Sequence, residues 1–486
     1  MKKFLENNLS MVIIAFLAII YIFLPSINNS ADSIGYAADI RNGDIFSPHH
    51  LLFNSLGFFF SEIFHTQKTL QVTCLINAFF AIGCLWWARK IFLVFTDEKT
   101  CAFVLLFLGS CFGFLRFATD GEAYIIPLFF SLWASFSLLE NKSVFVISLL
   151  ASIACLFHQI HVFWWIGLGW YVWSAYPSKR IKNLSIYLGT AFIVPIAYLL
   201  VFYLTTTDCS NPIQYVFHDY VKCNYVNVAP KGISFLLMPI SFIRTFIQVH
   251  GYMYPLIKTN LWIIFFILII LFFAFKSIRS FKKGIVKKTD NIKLKYYASA
   301  HLLIFFLQLF FAFLSDANAE FMIMLPFALI IYLFAKYEVN INLIKYISIS
   351  VFIWNFSFGV FPAHFLEINP NIAFKNYIIQ NPNQVYLAKD RPTMENMISY
   401  FYPQHKVILL DIDKDKAKLD SIIINQKQAV FSDMWFNNDF ISRGKILEKK
   451  QTQQMENKCS IICVDTLHCD LGALCISKIT ISKKNN

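Results

Sequence analysis

Between residues 9 and 361 the sequence returns again and again to apolar runs long enough to cross a bilayer, and this recurrence constrains the fold more than any other feature. The runs fall near 9–25, 69–88, 101–118, 125–140, 143–157, 162–176, 184–206, 261–275, 296–314, 321–335 and 344–361. A helix needs about 20 apolar residues to span roughly 30 Å of hydrocarbon, and the shorter runs gain reach from tilt or flanking residues. Only 15% of the 486 residues are charged and 57% are hydrophobic, whereas a soluble domain carries roughly 25% charge. With a mean hydropathy of +0.56, the chain requires lipid as its solvent. The expectation is a polytopic α-helical membrane protein with about 11 transmembrane helices.

The formal charge of +13 first suggests nucleic acid, but its placement assigns it to topology. With the N-terminus inside, alternate connectors carry Lys2/Lys3, Arg89/Lys90, Lys142, Lys179/Arg180/Lys182, the dense stretch Lys276 to Lys295, and Lys336/Lys345. The other connectors carry few Lys or Arg for their length, as the positive-inside rule requires. The cluster Lys282, Lys283, Lys287 and Lys288 also suits anionic headgroups. Lys2 and Lys3 precede an apolar stretch that is long for a signal peptide and is followed by no A-x-A-like site, so it reads as a retained first span. The partners expected are the lipid bilayer and no nucleic acid.

This orientation places Asp32, Asp39, Asp44, His49, His50, Asp120, Glu122, His158, His161, Asp208, His218, Asp219, His250, Asp316 and Glu320 on the outer side or at outer helix ends. Ionisable groups gathered at span ends mark a functional face, although any single one also serves to wet a loop. Outer loops are expected over 26–68 and 207–260. The first ends in Leu51–Phe64, too short and too close to the next span to cross, which reads as an interfacial helix. The second holds Cys209, Cys223 and a helical apolar stretch from Ile233 to Gln248, and loops this long are often functional.

After Pro362 hydrophobicity falls, dividing the chain into a membrane domain, 1–362, and an extracytoplasmic domain, 363–486. Strands are expected at Gln384–Ala388, Lys406–Ile412 and Gln428–Phe431, and helices at Thr393–Phe401 and Lys414–Asn425, an alternation that predicts a small α/β domain. Cys459, Cys463, Cys469 and Cys475 read as up to two disulfides with three connectivities open. Their spacing lacks the close C-x2-C pairs of a zinc site. No Gly-rich phosphate loop or nucleophile elbow occurs there, so acceptor recognition is the task expected of this domain.

The loop Ala31–Asn54 contains Asp32, then Tyr36, Ala38, Gly43, Pro48, His49 and His50. Arg116 precedes T-D-G-E-A-Y (Thr119–Tyr124), His158-Gln159-Ile160-His161 joins two spans, and S-D-A-N-A-E-F-M-I-M-L-P runs from Ser315 to Pro326. These motifs, with many spans followed by an outer domain, resemble the GT-C superfamily of polyprenyl-phosphate-sugar-dependent glycosyltransferases, the mannosyltransferase and aminoarabinose-transferase-like membrane proteins. One departure stands out: Glu320 occupies the neighbourhood where many relatives carry an Arg.

The resemblance implies an inverting hexosyl- or pentosyltransferase at the plasma or inner membrane. It takes a sugar from a polyprenyl-phosphate donor to a glycolipid, glycan or protein acceptor on the outer face. It places the general base at Asp32, whose plain alternative is a loop Asp or an Asx turn with Ser33. Asp120 and Glu122 either orient the acceptor or hold a divalent cation, Mg or Mn; the alternative is a turn on Asp120-Gly121. Arg116 and Arg244 are phosphate-binding candidates, since a guanidinium forks onto phosphate oxygens, while Arg116 also reads as snorkelling. Tyr36, His49, His50, His158, His161 and Glu320 complete the substrate-binding candidates. A glycan polymerase or ligase is the near rival. A lipid-linked glycan transporter or flippase is disfavoured, because no internal repeat is seen and ionisable groups avoid mid-span positions.

Overall fold

The computed structural model describes residues 8–205, 209–218, 232–281, 285–288, 291–404, 406–436 and 449–481. Lys2, Lys3, Asp208, Asp219, Cys223, Lys282 and Lys283 lie outside the described residues. Two compact units form. The first gathers Met1–Pro25, Asp39–Val249 and Trp262–Val360, and the second Ser26–Ala38, His250–Leu261 and Phe361–Asn486.

The protein is a multi-span, mostly helical membrane protein. Among the described residues six helical stretches are long and apolar enough to cross a membrane: Thr69–Phe92, Pro177–Leu204, Ile263–Phe281, Ile292–Leu314, Ala319–Lys336 and Ile341–Gln380. A seventh arises if Glu98–Ser110 and Phe112–Ala118, bent by 71° at the break, count as one. The runs expected near 9–25, 125–140, 143–157 and 162–176 are helices of 14 or 15 residues, shorter than the ~20 residues of a perpendicular crossing. Pro177–Leu204 and Ile263–Phe281 leave residues such as Leu200, Phe265, Leu268 and Phe272 exposed, as lipid-facing helices do.

Buried polar side chains tie the first unit together. Arg89 Nε donates to Ser10 Oγ at 2.6 Å and its guanidinium pairs with Glu98 at 3.3 Å. The Ser10 amide donates to Glu98 Oε1 at 2.9 Å. At the break beside Cys111 the helix ladder is interrupted, and Asn355 answers the carbonyl there: its Nδ2 donates to Ser110 O at 2.6 Å, and also to Phe246 O, at the end of the helix Ser234–Phe246, at 2.7 Å. A backbone carbonyl left unpaired in hydrocarbon is costly, so this amide makes the break tolerable. Phe53–Ile63 is the short amphipathic helix expected, burying Phe53, Asn54, Gly57 and Ser61 while exposing Phe59 and Ile63.

The second unit begins with a correction. Much of what reads as the first outer loop is a helix, Ala31–Asn42. Ser30 Oγ accepts the Ser33 amide at 3.0 Å, an N-cap that the sequence reading overlooked. Asp32 sits in the first turn, favourable toward the helix dipole, and Gly43 follows the last turn at φ +87°. The Ile34 amide, which an Asx turn at Asp32 would use, donates to the Ser30 carbonyl at 3.3 Å.

The C-terminal part is a mixed five-stranded sheet rather than a purely alternating one. Strands β1 (Ile285–Lys287) and β2 (Tyr337–Val339) pair separately in the first unit. In the second, β3 (Val385–Leu387), β4 (Ile408–Leu410), β5 (Val430–Ser432), β6 (Cys459–Cys469) and β7 (Gly472–Ile481) lie in the order β4-β3-β5-β7-β6. β3 is parallel to β4 and β5, at the strands expected, and the antiparallel hairpin β6–β7 joins through β5. Val385, Leu410, Ile423, Val430 and Ile479 fill its core.

The hairpin resolves the cysteine arithmetic: Cys463 and Cys475 form one disulfide, with Cα atoms 6.0 Å apart. Cys459 and Cys469 remain free. They end one extended strand, so ten residues at ~3.3 Å hold them about 33 Å apart and out of bonding reach. Alkylation before reduction is expected to label Cys459 and Cys469 and spare Cys463 and Cys475, as peptide mass spectrometry reads directly. Replacing the bonded pair by serine is expected to destabilise this unit by about 2–3 kcal/mol through lost loop closure.

Candidate functional site

The acidic turn in the first unit is built by the residues behind it. Asn77, fully buried in the helix Thr69–Phe92, donates from Nδ2 to Asp120 O at 2.7 Å and Glu122 O at 2.6 Å. Asp120 Oδ1 accepts the Gly121 amide at 2.8 Å. Gly121 is required by space, since a Cβ there would lie 2.6 Å from Thr73 Oγ1. Asp120 and Glu122 are each 1% exposed, so both carboxyls sit in surroundings where charge is expensive unless answered.

The bend at Cys111 delivers the first arginine. Phe112–Ala118 carries Arg116 in its last turn, with the guanidinium 5.5 Å from the Phe117 ring. Ser234–Phe246, bearing Arg244 in its last turn, packs on this helix, and the 3-10 helix Ala319–Met322, bearing Glu320, packs on both. The packing is close at Gly113, where a Cβ would stand at contact distance, 3.5 Å from Thr245 O and 3.8 Å from Ile323 Cα. Asn318 Oδ1 accepts the Glu320 amide at 3.0 Å. Asp316 and Ala317 just before it adopt positive φ of 54° and 56°, a tight and mildly strained reversal.

The histidines form a third cluster, joined to the acidic turn through aromatic rings. His50 meets His158 edge-on at 4.3 Å, Tyr124 lies 4.8 Å from His158, and Phe117 stacks on Tyr124 at 4.9 Å. His49 stands 6.1 Å from His50. His161 Nδ1 is 2.7 Å from Ser131 Oγ. Gln159 laces this segment to the first connection: its amide donates to His49 O at 3.3 Å, and its Nε2 donates to Pro48 O at 3.1 Å and Val216 O at 2.8 Å. Burial, then the neighbouring His49, pushes the His50 pKa well below the usual 6.5. Among the described residues no group of three His, Cys, Asp or Glu is arranged to hold a metal ion.

Asp32 and Tyr36 belong to the second unit, on consecutive turns of Ala31–Asn42, with Asp32 exposed and Tyr36 half-buried. Gly35 between them admits Asn396, whose Nδ2 would lie 2.8 Å from a Cβ there. In the first unit Asp39 has its pKa pushed up to about 6, by burial and then by Asp44. The folded state thus holds its proton more tightly than the unfolded chain does between pH 3.8 and about 6, and stability falls as pH rises through that window. Asp39→Asn is expected to raise the melting temperature at pH 7.5 and leave it nearly unchanged at pH 4, as thermal unfolding in detergent at both values checks.

Of the candidates named from sequence, Asp120, Glu122, His49, His50, His158, His161, Arg116, Arg244 and Glu320 lie within the first unit, in three adjoining clusters. The sequence reading overlooked Asn77, Ser131 and Asn355, polar residues that hold these clusters in place. Their signal is present, since an Asn or Ser inside an otherwise apolar span calls for a bonding partner.

No family model matches the chain, and no curated protein matches it. Among solved structures it is similar to ArnT from Cupriavidus metallidurans in the apo state, at 12% identity over 96% of this chain and 97% of that chain, with a TM-score of 0.44. The same protein bound to undecaprenyl phosphate is similar at 12% identity over 97% of this chain and 98% of that chain, with a TM-score of 0.48.

Proposed function

We propose that this protein is an inverting membrane glycosyltransferase that moves a sugar from a polyprenyl-phosphate donor to a glycolipid, glycan or protein acceptor. The observation that carries this reading is the assembly of the first unit. Two buried carboxyls on one clamped turn, Asp120 and Glu122, follow directly on the short helix that bears Arg116, and that helix packs against the one bearing Arg244. Carboxylates suit sugar hydroxyls, and guanidinium groups suit the phosphate that leaves.

In this mechanism a carboxylate, Asp32 by the family resemblance, takes the acceptor's hydroxyl proton as its oxygen attacks the anomeric carbon. The carbon–oxygen bond to the phosphate breaks, and Arg116 and Arg244 neutralise the charge gathering on the lipid phosphate. Asp120 and Glu122 orient the acceptor or bind Mg or Mn, for which hard carboxylate oxygens are the appropriate ligands. About 11 spans, with the N-terminus inside and the C-terminal domain outside, complete the reading. The Cys463–Cys475 disulfide supports an oxidising, extracytoplasmic surrounding for that domain.

The test is transfer of radiolabelled sugar from a polyprenyl-phosphate donor pool into glycolipid or protein, in membranes containing the protein and in matched membranes lacking it. Transfer that appears only with the protein is expected. Equal background in both, across hexosyl and pentosyl donors, would overturn the reading in favour of a polymerase, ligase or transporter.

A further inference from the structure

His158 carries a polar atom that its surroundings leave unanswered. It follows the helix Val144–Phe157 in extended backbone, φ −159° and ψ 122°, with only 2% of the residue exposed. The Ile160 amide donates to its Nδ1 at 3.3 Å, so that nitrogen offers a lone pair. In a neutral imidazole the proton then sits on Nε2. Burial, with His50 and then His161 nearby, pushes the pKa well below 6.5 and keeps the ring neutral. Nε2 is thus a buried donor, and among the described residues it meets no acceptor.

The ring is not loosely placed. His50 closes one side edge-on at 4.3 Å and Tyr124, two residues after Glu122, lies 4.8 Å away. His161, in the same short segment and fully buried, is braced at Nδ1 by Ser131, and its Nε2 likewise meets no partner among the described residues. A phenylalanine at position 158 would strand no donor of its own, although it would take the acceptor from the Ile160 amide. An imidazole held in one tautomer, in contact with the acidic turn's own aromatic residue, is what a ligand oxygen would satisfy.

We propose that the Nε2–H of His158 is a substrate-binding hydrogen-bond donor to an oxygen of the lipid-linked sugar phosphate, with His161, set by Ser131, as a positioning residue in the same segment. This deepens the transferase reading and rests on it. The shared chemistry is an oxygen acceptor, and its two sources are the phosphate and a sugar hydroxyl. The donor is assigned to binding, with no bond made or broken at the imidazole.

The full-length protein in detergent is titrated with a bare polyprenyl phosphate and, separately, with a polyprenyl-phosphate sugar, reading affinity from the rise in melting temperature with ligand concentration. His158→Phe is expected to shift the ligand-free melting temperature only modestly, because it removes a stranded donor but also the acceptor of the Ile160 amide, and to weaken affinity by about 10-fold, the loss of one good hydrogen bond. Weakening toward both ligands assigns the oxygen to the phosphate. Weakening toward the sugar-bearing lipid alone assigns it to a sugar hydroxyl.

Ser131→Ala is expected to weaken affinity several-fold and Ser131→Thr to restore it, a rescue that a merely structural serine would not give. Wild-type affinity within twofold in His158→Phe for both ligands overturns the proposal alone. A wild-type protein that binds neither ligand overturns the transferase reading and this inference together.

Discussion

Asp32→Asn is expected to lower sugar transfer by about 10²–10⁴-fold, the usual contribution of a positioned proton acceptor, while leaving the protein folded. The substitution preserves shape and removes only the basicity. Asp32 is exposed in the first turn of Ala31–Asn42, and the N-cap there is supplied by Ser30. The folding cost includes the dipole contribution of that acidic side chain, roughly 0.3–1 kcal/mol. Transfer rates in membranes matched for protein content, with a melting curve on the same preparation, check it. Transfer at the wild-type rate would remove Asp32 from the mechanism, and Asp120 or Glu122 would then be the carboxyls to examine as base.

Asn77→Leu is expected to act in the opposite manner, damaging structure first and activity through it. The leucine fits the volume but donates nothing, so the Asp120 and Glu122 carbonyls lose the bonds they receive at 2.7 and 2.6 Å. Two buried carbonyls each left short of a donor cost about 1–3 kcal/mol apiece, so a loss of ~2 kcal/mol or more is expected. The acidic turn should loosen with it and transfer should fall, because orientation of catalytic groups is sensitive to small displacements. Thermal unfolding and transfer assays on one preparation check both parts. An unchanged melting temperature would show that the turn holds without its amide clamp.

Where the sequence reading succeeded and where it failed has a consistent physical basis. Apolar runs are visible because lipid imposes one requirement on about 20 consecutive residues, and every expected run coincides with helix in the described residues. Candidate side chains were legible for a related reason: Asp120, Glu122, His158 and Arg116 are conspicuous in so apolar a chain. The first connection was misread because helix Ala31–Asn42 has no apolar periodicity to betray it; only Ser30 and the acidic first turn mark its start. The hairpin β6–β7 was missed because its apolar residues do not alternate cleanly: Ile461 and Ile462 are adjacent, and Ala473 to Ile476 is a continuous apolar run. The bracing residues Asn77, Ser131 and Asn355 were invisible in a different sense. Each is one polar residue in an apolar run, and which carbonyl or ring it answers depends on a partner dozens to hundreds of positions away.

The 71° bend at Cys111 determines at what depth a charge can be carried. From Cys111 to Arg116 is five residues, or about 7.5 Å of helix at ~1.5 Å each. A straight helix would spend all of that travel along its own axis. After the bend, travel along the original axis shrinks to about 2 Å, and about 7 Å becomes sideways displacement. The chain can thus move a guanidinium laterally while holding it nearly level, and Asn355 caps the carbonyl at Ser110 that the manoeuvre exposes. Depth and lateral position of Arg116 are set independently, the first by where the break falls in the sequence and the second by how many residues follow it.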